Sequence, residues 1–154
     1  MPPHRIQLRG PWEFEPLARA ELDSAAKIVW TSINLPVAGR GQMPASWQSL
    51  LGDFRGRVLF RRKFHRPTNL GPDEIVWLEF AGVGGTGTVR VNGRNVGSLM
   101  NAIPPQRFDV TALLAGNDEL SVELEFRSLN PQITGGLYGS VTLEIASPDP
   151  STGC

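Results

Sequence analysis

Glu119-Leu120-Ser121-Val122-Glu123-Leu124-Glu125-Phe126 alternates polar and apolar residues without a break. A strand turns successive side chains to opposite faces, so Leu120, Val122, Leu124 and Phe126 share one face and the three glutamates and Ser121 share the other. Such a segment lies with one face on a core and the other in water, which is the habit of antiparallel sheets. Val141-Thr142-Leu143-Glu144-Ile145 repeats the pattern downstream and is expected to close a sheet.

Upstream, Thr88-Val89-Arg90-Val91 and Asn95-Val96-Gly97 flank Asn92-Gly93. Asn-Gly supplies the positive φ angles of a type I′ turn, so this is a tight hairpin. Glu74 to Phe80 reads as a strand with faces of unequal polarity. Arg57 to Phe64 sets Val58, Phe60 and Phe64 against Arg61 and Lys63, as a half-buried strand does. Lys27 to Leu35 is rich in β-branched and aromatic residues and stops at Pro36. Seventeen Gly and thirteen Pro punctuate these stretches along the whole chain. Helical signal is confined to two short pieces. Thr111 is expected to N-cap one turn over Ala112 to Leu114, with Gly116 ending it in a left-handed conformation. A second short helix fits Pro16 to Ala26, where Leu17, Ala20 and Glu21 sit at helical spacing. Roughly eight short strands separated by Gly and Pro imply two antiparallel sheets packed face to face.

The totals agree with one soluble domain. The chain has 154 residues, of which 40% are hydrophobic and 19% charged. One domain over 1–146 with a flexible tail at 147–154 is the expected organisation. Fifteen basic residues balance fifteen acidic ones, so no net field draws the chain to nucleic acid or an anionic membrane. No apolar run is long enough to span a bilayer and no signal peptide is visible. The single cysteine, Cys154, cannot form an internal disulfide.

Three motifs resemble catalytic or binding signatures. Gly82-Val83-Gly84-Gly85-Thr86-Gly87 matches G-x-G-x-x-G, with Asp109 downstream. A dinucleotide site needs a helix to start at the last glycine, whereas here the chain continues with a period of two, so a turn or bulge between strands is expected. Glu123 and Glu125, like Glu13 and Glu15, place two carboxylates roughly 7 Å apart on one strand face. Sugar hydrolysis uses carboxylate pairs at about 5 to 5.5 Å or about 6.5 to 9.5 Å, but this alternation is also that of any solvated sheet face. His4, His65 and Cys154 lack zinc-ligand spacing. No G-x-S-x-G elbow precedes a helix. No enzyme site is expected.

Four stretches together resemble the N-terminal sugar-binding domain of glycoside hydrolase family 2, the group of β-galactosidases, β-glucuronidases and β-mannosidases. The first is Leu8-Arg9-Gly10-Pro11-Trp12-Glu13-Phe14, similar to an opening G-x-W-x-F strand. The second is Leu35-Pro36 leading to Pro44-Ala45-Ser46-Trp47. The third is Phe60-Arg61-Arg62-Lys63-Phe64. The fourth runs in family order from Leu78-Glu79-Phe80-Ala81-Gly82-Val83 through Val91-Asn92-Gly93, Phe108-Asp109-Val110-Thr111 and Gly116-Asn117-Asp118-Glu119 to Gly135-Gly136-Leu137-Tyr138-Gly139-Ser140-Val141. The resemblance spans about Leu8 to Ile145. It implies an all-β jelly-roll β-sandwich of two antiparallel sheets, galactose-binding-domain-like, with catalysis left to a separate (β/α)₈ barrel of about 250 residues. The chain departs from the pattern at Ser98 to Pro105, where the family places an aromatic on a loop near the sugar.

The resemblance therefore implies a non-catalytic carbohydrate-binding domain for a β-linked sugar. The alternative is a structural or protein-interaction sandwich that has lost the sugar. Sugar recognition combines an aromatic platform with planar polar side chains. Trp47 is the candidate platform, with Arg40 and Gln42 nearby, and the alternative for it is a mostly buried Trp that plugs the rim of the sandwich. Asn101, Gln106 and Tyr138 are further ligand contacts from other loops. Trp12, Trp30 and Trp77 are expected in the core, and Asn92 in a turn. No cofactor is expected. Asp53, Asp73 and Asp118 form no calcium loop, although sandwiches of this type often carry a structural calcium.

Overall fold

The computed structural model describes residues 4–101 and 105–147. Among them eleven strands build two antiparallel sheets, as the alternation requires. The smaller sheet runs in the order β1 (His4–Gln7), β11 (Val141–Ala146), β6 (Ile75–Phe80), β9 (Gln106–Asp109). The larger runs β3 (Ile28–Thr31), β2 (Trp12–Leu22), β5 (Gly56–His65), β10 (Asn117–Phe126), β7 (Thr86–Val91), β8 (Arg94–Leu99), with β4 (Gly39–Gly41) also on β2.

β10 is the centre of the large sheet. It pairs with β5 over its full length and with β7 on its other side. Leu120, Val122 and Leu124 have no exposed surface, while Glu119, Ser121, Glu123 and Glu125 face outward. β11 takes the matching central place in the small sheet, between β1 and β6. The inner faces meet in one core of Trp12, Val58, Phe60, Leu78, Phe80, Val89, Leu143 and their neighbours. Asn92 (φ 53°) and Gly93 (φ 79°) form the two-residue turn between β7 and β8, and Gly116 takes the positive φ expected of it.

Four expectations need correction. Pro16 to Ala26 is not helical: Pro16 to Leu22 extends β2, which steps past a bulge at Leu17 and pairs first with β5, then with β3. Cross-strand pairing overrides a helical spacing that carries no apolar stripe. Thr111 does not cap the 3-10 turn Thr111–Leu113. Asp109 Oδ1 accepts from both Thr111 N–H and its hydroxyl, and Thr111 Oγ1 accepts from Val76 N–H, tying the turn to β6. The strand expected over Lys27 to Leu35 is only the exposed β3. Trp30 and Trp77 are not core: each is partly exposed on an outer face beneath an arginine, Arg57 over Trp30 and Arg107 over Trp77 at 4.7 Å in both cases. Trp12 is core, with its indole N–H donating to Leu8 O.

The Gly82 to Gly87 stretch runs through the β6–β7 connection into the first two residues of β7. Gly84 and Gly136 exchange both backbone hydrogen bonds, at 2.9 Å each, which ties the loop to the segment before β11. The tail expected at 147–154 lies outside the described residues beyond Ser147, and Ala102 to Pro104 lie outside them too.

Candidate functional site

Trp47 cannot act as a platform. It opens a short helix, α1 (Trp47–Leu51), whose N-cap Ser46 accepts from Ser49 N–H. No part of the Trp47 ring reaches solvent. Its indole N–H donates to Phe54 O at 2.6 Å, and its ring lies parallel to that of Phe54 at 6.1 Å. Gly136 brings the β11 approach against the Trp47 backbone: a Cβ there would lie 2.7 Å from Trp47 N. The residue is a plug under the sandwich. The signal for this was present in Ser46-Trp47-Gln48-Ser49-Leu50-Leu51, a capped turn with its apolar residues at helical spacing.

The other expected contacts are dispersed. Arg40 lies exposed on β4 and pairs with Glu13, and Gln42 follows it. Asn101 accepts from Gly85 N–H, and Gln106 bonds both backbone groups of Met100, so each braces the β8–β9 loop. Tyr138 covers Gly82, where a Cβ would lie 2.6 Å from the ring. None of these six residues lines the recess described next.

That recess, about 660 Å³, opens where β1 crosses the ends of β5 and β10 beside the Asn92-Gly93 turn. Ile6, Leu8, Phe64 and Leu143 form an apolar floor drawn from both sheets. Arg62, His65, Asn117 and Asp118 supply polar groups around it. Asp118 is only 3% exposed and spends its carboxylate on N–H donors: Asn92 Nδ2 at 2.8 Å, Ala115 N–H at 2.7 Å and Gly116 N–H at 3.4 Å. Arg62 lies on the inward face of β5, between Phe60 and Phe64 and opposite Leu120. Asn117, His65 and Arg62 were not singled out from the sequence. Only the position of Arg62, two residues from apolar residues on either side, could have marked it as inward-facing.

The paired glutamates serve the outer face. Glu123 pairs with Arg90, and Glu125 with Arg57 and Arg127. On the small sheet, Glu79 and Glu144 each pair with both Arg5 and Arg107, forming a quartet across all four strands. The pKa of Arg5 is raised from its ordinary value, first by its hydrogen bond to Glu79.

Two antiparallel sheets packed around one core, with a recess of about 660 Å³ at one end, define an all-β sandwich. The chain belongs to the glycosyl hydrolase 2 galactose-binding domain-like family, whose sequence profile matches residues 54–134. Among curated proteins no match is found. The fold is similar to that of an FMN-binding β-glucuronidase from Faecalibacterium prausnitzii L2-6, with 21% identity, a TM-score of 0.73, and coverage of 94% of this chain and 23% of that one. It is also similar to Bifidobacterium dentium β-glucuronidase complexed with coumarin-3-O-glucuronide, with 20% identity, a TM-score of 0.69, and coverage of 96% and 30%. A third is a β-galacturonidase from Eisenbergiella tayi bound to galacturonate, with 22% identity, a TM-score of 0.67, and coverage of 92% and 24%. The chain thus spans between about a quarter and a third of the length of these enzymes.

Proposed function

We propose that this chain is a non-catalytic carbohydrate-binding domain whose ligand, a β-linked sugar, sits in the recess between β1, β5 and β10. The observation that carries this reading is the make-up of the recess: an apolar floor of Ile6, Leu8, Phe64 and Leu143 with planar polar side chains at its margin. A pyranose presents the complementary surface, apolar CH patches edged by hydroxyls. Asn117 and His65 are the rim groups placed to meet hydroxyls, since Asn92 and Asp118 are committed to each other. Chemistry on the sugar belongs, in this reading, to a region outside this domain, and the related enzymes extend well beyond the part that this chain matches. The family assignment supports the ligand class by analogy of fold.

Calorimetric titration with methyl β-glycosides and their disaccharides tests the proposal, run beside Leu8→Asn and Asn117→Ala. Saturable binding that weakens at least several-fold in Asn117→Ala is the expected result. Binding unchanged in both variants places the sugar elsewhere.

A second reading, a protein-contact sandwich, is favoured by one observation. Leu22, Ile28 and Trp30 are exposed on one face of the β2–β3 hairpin, an apolar surface of the sort that seats another domain. Loss of aggregation on joining the chain to a longer partner region, with no sugar bound by either form, is the outcome this reading requires.

A further inference from the structure

The geometry points to Asn92-Gly93 as a modification site, where the folded hairpin holds Asn92 back from spontaneous deamidation and where the product can no longer close the tip on Asp118. Asn92 is the only asparagine in the chain followed by glycine. Deamidation there consumes nothing but water. The Gly93 backbone nitrogen attacks Asn92 Cγ, the Cγ–Nδ2 bond breaks, and ammonia leaves with the proton of the Gly93 amide. Water then opens the resulting succinimide at either carbonyl, giving Asp or isoaspartate at position 92. Glycine exposes the attacking nitrogen because it has no Cβ beside it. The tip is also open to water: Asn92 and Gly93 are both exposed, and a Cβ on Gly93 would meet nothing within 4 Å.

The contacts of Asn92 oppose this exposure. Both hydrogens of Nδ2 are used, one on Leu113 O at 2.9 Å and one on Asp118 Oδ1 at 2.8 Å, while Oδ1 accepts from Glu119 N–H at 2.9 Å. The Asn92 backbone N–H donates in turn to Glu119 O at 2.9 Å. Swinging Cγ onto the Gly93 nitrogen breaks the three side-chain contacts together, so the reaction runs through local opening of the tip and not from the closed hairpin. Deamidation then inverts the clamp. The nitrogen that donated twice becomes a carboxylate oxygen facing two acceptors, Leu113 O and Asp118 Oδ1. Asp118 is buried and holds the Ala115 and Gly116 N–H groups, so closing the tip would bring two carboxylates together in one covered site. Isoaspartate also adds a methylene to the main chain of a two-residue turn, whose length sets the β7–β8 register.

The test ages the wild-type protein in mildly alkaline buffer, folded and in unfolding urea. Peptide mass mapping follows Asn92, and methyltransferase labelling follows isoaspartate. Conversion at Asn92 is expected to be at least about tenfold slower in the folded protein than in urea. Asn92→Asp, which carries the product charge without isoaspartate, should unfold at lower urea concentration than wild type. Asn92→Asp/Asp118→Asn returns a donor to the pair and should recover at least about half of that shift. The deamidated fraction, separated from aged wild type by ion exchange, gives the comparison with wild type without a substitution. Equal conversion rates in the folded and unfolded protein overturn the proposal. So does a deamidated fraction or an Asn92→Asp protein as stable as wild type, or a double variant no better than the single one.

Discussion

Asn92 and Asp118 are joined side chain to side chain, Asn92 Nδ2 donating to Asp118 Oδ1 at 2.8 Å. The same amide also donates to Leu113 O and accepts from Glu119 N–H, so the hairpin tip is clamped to the start of β10 and to the turn before it. Asn92 therefore does two separable things: it takes a positive φ in the turn, and its side chain satisfies buried groups. Asn92→Gly keeps the first and removes the second, and is expected to cost about 1–3 kcal/mol. Asn92→Ala adds about 1–2 kcal/mol for a Cβ in the left-handed region. Urea unfolding of the two variants should show this order. Equal losses would mean the side-chain clamp accounts for the whole effect.

Trp47 is expected to report on folding rather than on ligand. Trp47→Ala removes a fully buried ring stacked on Phe54 and one of the two donors to Phe54 O, the other being Arg55 Nη1. Loss of a buried aromatic costs about 3–5 kcal/mol. The variant should unfold at markedly lower urea concentration, while Trp47→Phe should retain the packing and lose about 1 kcal/mol for the hydrogen bond. A Trp47→Ala variant as stable as wild type would contradict the placement of this ring in the core.

The fold was legible because its central strands carry period-two patterns that only one packing satisfies. β10 is legible from Glu119 to Phe126, two residues short of its start at Asn117, β11 from Val141 to Ile145, and Asn92-Gly93 sets its hairpin from backbone geometry alone. The elements missed are those whose structure is decided by partners. β2 continues through Pro16 because β5 and β3 pair with it, whereas α1 carries its own local signal, the Ser46 cap before apolar residues at helical spacing. Trp47 stands in a Gly/Pro/Ser-rich stretch that suits an exposed platform and a buried plug equally well. Its ring is swallowed by the sandwich, and the recess is built from β1, β5 and β10, strands far apart in sequence. No local motif announces such a site. Arg62 alone broke an inward apolar row.

The quartet of Arg5, Arg107, Glu79 and Glu144 predicts non-additive losses. Glu79 and Glu144 are nearly covered, with side-chain exposures of 13% and 12%, while each arginine pairs with both. Arg5→Met or Arg107→Met leaves one cation on the two acids and should cost about 1 kcal/mol. The double variant leaves two covered carboxylates with no cation, so its loss should exceed the sum of the singles by about 1 kcal/mol or more. The raised pKa of Arg5 means its stabilisation is present at every pH below the ordinary arginine range and is lost only as pH climbs past the folded value. The Arg5 contribution should therefore be flat from neutral to mildly alkaline pH. Simple additivity in chemical denaturation would show that the acids are solvated rather than shared.

β3 is an edge strand of apolar residues, with Ile28, Val29 and Trp30 exposed at 40%, 44% and 36%. Among the described residues it pairs only with β2, so its outer backbone groups are open to another strand, and nothing along Ile28–Thr31 carries a charge to discourage it. Val29 lies opposite Glu21, so Val29→Lys places a cation on the edge and next to a carboxylate. The expected outcome is reduced self-association at high protein concentration, seen by light scattering, with stability changed by less than about 0.5 kcal/mol. Val37→Lys, 88% exposed but off the edge, adds the same charge elsewhere and should leave association unchanged. Equal relief from both substitutions would assign the effect to net charge, and relief from neither would show that the edge does not pair.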